Sequence, residues 1–206
     1  AGASGHLKFT TLTAKAGTVA LTAVGTLSAG NATATGNITL DATGNASTGA
    51  VTSSTGIVDL ESSAGTLTTG AVSGVSGVLL KSSGNLSTGV LTSLNANVNA
   101  QSLTGSVAIT SAKAKTALVA TSKTGMKLTS YTVSGGTANL TAGTDFTSGT
   151  GTAYGNITIS MDGIGSLGTQ TSTTGTISAT SILKGLRFTT LKAATGITLR
   201  AKANMG

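Results

Sequence analysis

The chain has no cysteine, no proline and no tryptophan, one histidine, five acidic residues and only 2% aromatics among 206 residues. Each shortage removes a class of protein. Without cysteine there is neither a disulfide framework nor a thiolate metal centre. With His6 as the single histidine, in the leader "AGASGH", the convergent groups that acid–base or nucleophilic catalysis requires are missing, and His6 reads as an exposed linker residue. Aromatics are too few for the girdles of a membrane barrel or for the stacking platforms of a nucleic-acid binder. No apolar run approaches the roughly 18 residues of a membrane helix, and no charged leader precedes an apolar core; any export signal is expected outside this segment.

What is present is 38% hydrophobic residue content, only 8% charge, and 30 glycines. Apolar content of this level, rich in Val, Ile, Leu and Ala, separates the chain from disordered sequences and predicts that it folds. The net charge of +7 is unevenly placed, since nine of the twelve cations follow Ala112 while Asp41, Asp59 and Glu61 precede it. The second half is the basic one.

One motif recurs along the whole chain, two apolar residues with one residue between them. The pairs are Val19/Leu21, Ile38/Leu40, Val58/Leu60, Val78/Leu80, Val98/Ala100, Leu118/Ala120, Ala138/Leu140, Ile157/Ile159, Ile177/Ala179 and Ile197/Leu199, at steps of 19 or 20 residues. A spacing of two puts both side chains on one face of a strand. A second apolar position, such as Leu27, Ala46, Leu67, Leu86, Met126 or Phe146, follows six or seven residues after each pair's last member. Each unit therefore reads as strand, turn, strand, turn.

Helices fit badly, because the apolar period is two and Gly, Thr, Val and Ser dominate. An antiparallel sandwich does not require the register to hold for the whole chain. A coil that advances one strand spacing per turn does require it. The prediction is all-β: a parallel β-helix, or β-solenoid, of about ten coils of 19–20 residues, spanning on the order of 45 to 50 Å. Residues 7–206 form one continuous solenoid segment and residues 1–6 a leader or linker. Proline is absent because strand residues must give their N–H to the neighbouring coil. Glycines are expected at corners that need positive φ.

The ends of the sequence echo each other. "LKFTTL" at Leu7–Leu12 returns as "LRFTTL" at Leu186–Leu191, an offset of 179 residues. That is nine coils, so the segment reads as one long repeat of about 179 residues plus an overlap. No polar capping segment is read at Met205 and Gly206, which predicts neighbouring repeats of the same chain or head-to-tail copies as partners.

The phrases "GNITLDATGNASTG" and "GIVDLESSAGTLTTG", of the form G-x-[IV]-x-L followed by G-x-L-[ST]-[ST]-G, resemble the haemagglutinin repeats of the filamentous haemagglutinin family. The resemblance implies a right-handed parallel β-helix, a role as the shaft of a large bacterial adhesin at the cell surface, and an outer-membrane secretion partner. The family's secretion domain and its catalytic or toxin tips have no match in this sequence.

Candidate sites are few. Asp41, Asp59 and Glu61 form the one acidic cluster, a weak candidate for calcium against the simpler reading of a surface column in which Lys81 offsets like charges. Lys113, Lys115, Lys123 and Lys127 are the densest basic run, a candidate contact for anionic glycans against the reading of a solvated face. The residues between the paired apolar positions, from Ala20 and Thr39 to Ser178 and Thr198, are too mixed for an ice-organising threonine array. The expected function is therefore a non-catalytic shaft segment, secreted to the bacterial surface, mediating attachment or cell contact and displaying a distal tip. No cofactor is expected, and nucleic acid is disfavoured. The alternatives are a lateral anionic-glycan-binding module and, more distantly, a glycan-acting β-helix enzyme.

Overall fold

All ten apolar pairs stack on one another in parallel register: Val19 on Ile38, Ile38 on Val58, and so on to Ile177 on Ile197. This holds in a computed structural model, which describes residues 2–3 and 5–204. The described chain is a parallel β-solenoid of about ten coils with no helix among its elements. One turn of the solenoid shows the plan. A first limb, Ile38–Ala42, is followed by a turn, a second limb at Ala46–Thr48, a two-residue corner, and a third limb at Val51–Ser53.

The corner is where the structure adds to the strand–turn–strand–turn reading. In most coils the second and third limbs form one eight-residue strand, as in Leu86–Ser93, but inward and outward positions change phase at its middle. Leu86 and Thr88 are buried, Gly89 and Val90 turn outward, and Leu91 and Ser93 are buried again. A flat strand would keep strict alternation, so the phase change marks a bend. Each coil thus has three limbs around a core one or two side chains wide.

That core is one continuous cluster from Val19 to Leu186. The second-limb column runs Leu27, Ala46, Leu67, Leu86, Val107, Met126, Phe146, Gly165, Leu186. Large and small residues compensate within it, since Leu186 and Met161 occupy the space beside Gly165 where a Cβ would sit 2.5 to 2.6 Å from them. At roughly 1.5 to 3 kcal/mol for each fully buried large aliphatic side chain, stability is spread over every coil.

Polar side chains complete the backbone hydrogen bonding. Asn37 Oδ1 accepts from the backbone N–H of Ile57 in the next coil at 2.9 Å, and Asn45, Asn85 and Asn156 do the same for Thr66, Ser106 and Thr176. Ser62, Ser82, Ser102 and Ser122 stack in one inner column, and their hydroxyls donate to turn carbonyls at 2.7 to 3.0 Å. The serine bonds satisfy buried hydroxyls, while the asparagine bonds cap the coils at the exposed turns.

The expectation that glycine supplies positive φ at the corners is corrected. Among the described residues only Gly17 and Gly77 have positive φ. Most of the others are required by close approach between coils: a Cβ at Gly30 would collide with the Thr10 carbonyl oxygen, and one at Gly136 with that of Thr116. Within the expected leader, Gly2–Ala3 pairs with Thr22 and Ala23 on the first limb. The expectation about Met205 and Gly206 lies outside the described residues.

Candidate functional surface

Asp41, Glu61, Lys81 and Gln101 stack in successive coils on the outer side of the first limb. Asp59 lies in the adjacent outward column, between Thr39 and Leu79. Lys81 Nζ meets Glu61 Oε1 at 2.8 Å, with side chains 46% and 34% exposed. Partial burial, then the Glu61 charge, holds the Asp41 carboxyl above its ordinary range. Burial again comes first for Asp59, raised further by Asp41 and Glu61 and opposed by Lys81. The hydrogen bond and charge of Glu61 raise Lys81. The column is a charge ladder in which the cation answers the carboxylates. Among the described residues, no three His, Cys, Asp or Glu side chains stand where they could hold one metal ion.

The basic run does not form one patch. Lys113 points outward from the third limb between Thr92 and Thr132, and Lys115 occupies the turn that follows. With Leu94 and Ser134 they border a shallow groove of about 450 Å³. Lys123 lies in the turn after the first limb, and Lys127 points outward from the second limb between Ala108 and Thr147. The two pairs are eight to fourteen residues apart in sequence, roughly half a coil, so Lys113 and Lys115 lie on one side of the solenoid and Lys123 and Lys127 on another. In its column Lys113 is joined by Lys192 four coils further along, and Lys127 by Arg187 three coils further along.

His6 is exposed, and its Nδ1 accepts from the Thr26 backbone N–H at 3.3 Å and lies 2.7 Å from Thr26 Oγ1. It occupies the column in which Asn45, Asn85 and Asp145 cap later coils. Its role there is to hold one coil on the next.

Two features escaped the sequence reading. The first is an outward hydroxyl column on the third limb, Thr13, Thr33, Thr52, Ser73 and Thr92, resumed at Thr132, Thr152 and Thr171 after Lys113 interrupts it. Its outward neighbours on the corner include Asn31, Ala50, Ala71 and Val90, so no paired threonine lattice forms. The second is internal. Tyr131, 2% exposed, donates its hydroxyl to Gln170 Oε1 at 2.5 Å, and Gln170 Nε2 donates to Ser148 Oγ and to the Gly149 carbonyl at 3.0 and 2.9 Å.

No protein-family model matches the chain, and neither a curated protein nor a solved structure matches it at a significant level.

Proposed function

We propose that the chain is a non-catalytic shaft segment of a filamentous adhesin of the haemagglutinin-repeat type, carried on the bacterial surface by an outer-membrane secretion partner and holding a distal tip away from the cell. One observation carries this reading. Leu7, Phe9, Leu12 and Ala14 share inner columns with Leu186, Phe188, Leu191 and Ala193, nine coils further along. A sequence that returns to its own motif at the same place in the cross-section can repeat without a change of phase, which is what a shaft built from tandem long repeats requires. The phrase pattern of the haemagglutinin repeats and the scarcity of catalytic side chains support the same reading.

The test is electron microscopy of the native surface material beside the purified segment. Long thin fibres with a coil spacing of about 4.8 Å and a recurrence near 43 Å, nine coils, are expected. Native material made only of isolated particles of about one segment's length would overturn the reading.

A further inference from the structure

The turn after the ninth first limb departs from the others. Ile182 and Leu183 are adjacent at its tip, 53% and 58% exposed, and Ile164 in the preceding coil is 43% exposed. The two turns are adjacent, the Leu183 backbone N–H donating to the Asp162 carbonyl at 3.0 Å and the Gly165 N–H to the Gly185 carbonyl at 3.1 Å. The equivalent turns begin with small polar residues at Thr43, Ser63 and Ser83. The exposed aliphatics on this ridge at Val24 and Leu103 stand singly, as scattered surface residues commonly do. Here Ile182 and Leu183 are consecutive, and Leu183 and Ile164 line a groove of about 330 Å³ together with Lys184 and Arg187. Arg200 and Lys202 follow at the end of the next first limb and in its turn. Two acids stand here, Asp162 in the Ile164 turn and Asp145 one coil earlier, whose Oδ1 accepts from the Ile164 backbone N–H at 2.7 Å, against the four cations Lys184, Arg187, Arg200 and Lys202. Among the described residues the one ion pair is Lys81–Glu61.

From this combination we infer that the ridge around Ile182 and Leu183 docks on an anionic lipid surface. The partner's chemistry follows from shape and charge. Two aliphatic tips on a projecting turn can enter the headgroup boundary of a bilayer while neighbouring Lys and Arg stems extend to the phosphates. A rigid protein partner would need roughly 800 Å² of matched surface on each side, far more than three aliphatic side chains provide. An anionic polysaccharide would use the cations and leave the aliphatics without a role. The docking ridge is lateral, so it stands or falls separately from the shaft reading.

The absence of tryptophan makes a clean test available with the whole 206-residue chain. Leu183→Trp and, as a control on the opposite ridge, Leu94→Trp are titrated with vesicles of phosphatidylcholine alone and of phosphatidylcholine with about a third phosphatidylglycerol. The inference expects a blue-shifted emission from the Leu183→Trp chain with anionic vesicles only, and none from the Leu94→Trp chain. Co-sedimentation of the otherwise native chain with anionic vesicles should fall about tenfold on K184E with R187E, and similarly on I182S with L183S, while K113E with K115E leaves it within about twofold. Far-ultraviolet circular dichroism confirms that each variant remains folded. Equal shifts from both reporters, binding to neutral vesicles, unchanged sedimentation of the charge-reversed chain, or competition by soluble polyglutamate alone would each overturn the inference.

Discussion

The Tyr131 hydroxyl reaches Gln170 Oε1 across two coils, passing over Gly151, which lies between them in the same inner column. A Cβ at Gly151 would collide with both the Tyr131 ring and the Gln170 amide. The three residues therefore form one unit, in which a missing side chain makes room for a hydrogen bond between its two neighbours. Burial holds the Tyr131 phenol above its ordinary range, so it stays a donor.

This unit predicts an ordering of variants. Tyr131→Phe leaves the buried Gln170 Oε1 without its donor and should destabilise the fold by about 1 to 3 kcal/mol. Gly151→Ala forces the ring or the amide aside and should cost about as much through overpacking. A double variant, Tyr131→Phe with Gln170→Leu, removes both partners and should recover part of the loss. Denaturant unfolding of these three and of Gln170→Leu alone closes the cycle, and additivity of Tyr131→Phe and Gln170→Leu would mean the contact carries no coupling.

The asparagine caps predict a second cycle. Asn37→Ala removes the acceptor of the Ile57 N–H and should cost about 0.5 to 1.5 kcal/mol. Gly56→Ala should cost more, and Asn37→Ala should not rescue it, because the added Cβ would meet the Asn37 backbone nitrogen at 2.6 Å and the Gly36 carbonyl carbon at 2.7 Å as well as the side chain. Full rescue in the double variant would show that the side chain alone excludes a Cβ there.

The acidic ladder sets a pH dependence. Asp59 is raised above its ordinary value of 3.8, so the folded state holds its proton more tightly than the unfolded one. Stability from this group therefore rises as pH falls through the folded value, and the gain is complete below 3.8. Asp59→Asn should modestly stabilise the protein at neutral pH, first by removing a partly buried charge and then by relieving repulsion from Asp41 and Glu61. The difference should vanish near pH 3, where both chains are neutral at this position. Thermal unfolding at the two pH values decides it, and a variant less stable than the parent at pH 7 would reverse the assignment.

The first limb could be read from the sequence because its two inner columns repeat apolar residues, from Val19 and Leu21 to Ile197 and Leu199, at a nearly fixed interval. The corner between the second and third limbs could not, because glycine occupies it at Gly49 and Gly149 and threonine at Thr110 and Thr129, so no single residue type marks the bend. Sequence proximity also misled for Lys113 and Lys127, which a half coil separates. The Tyr131–Gln170 bond is 39 residues long in sequence and depends on what Gly151 lacks. Periodic features declare themselves one residue at a time; a compensating set shows only when the columns are assembled.

Register arithmetic gives the most demanding prediction. Removing residues 98–117, one whole coil, joins Asn97 to Leu118 and sets Leu118 and Ala120 where Val98 and Ala100 had stacked on Val78 and Leu80. Downstream, Met126 falls on Leu86 and Tyr131 on Leu91, each an inner position meeting an inner position. The shortened chain should fold cooperatively, with native-like β circular dichroism and a rod shorter by about 4.8 Å. Removing only residues 98–107 shortens the chain less, yet it carries Ala108 into the place of Val98 and turns outward residues toward the core, as a register slip does in any half-buried strand. That chain should not show a cooperative unfolding transition. If the half-coil deletion folded as well as the whole-coil deletion, stability would not depend on column register, and the repeating columns would have lost their physical meaning.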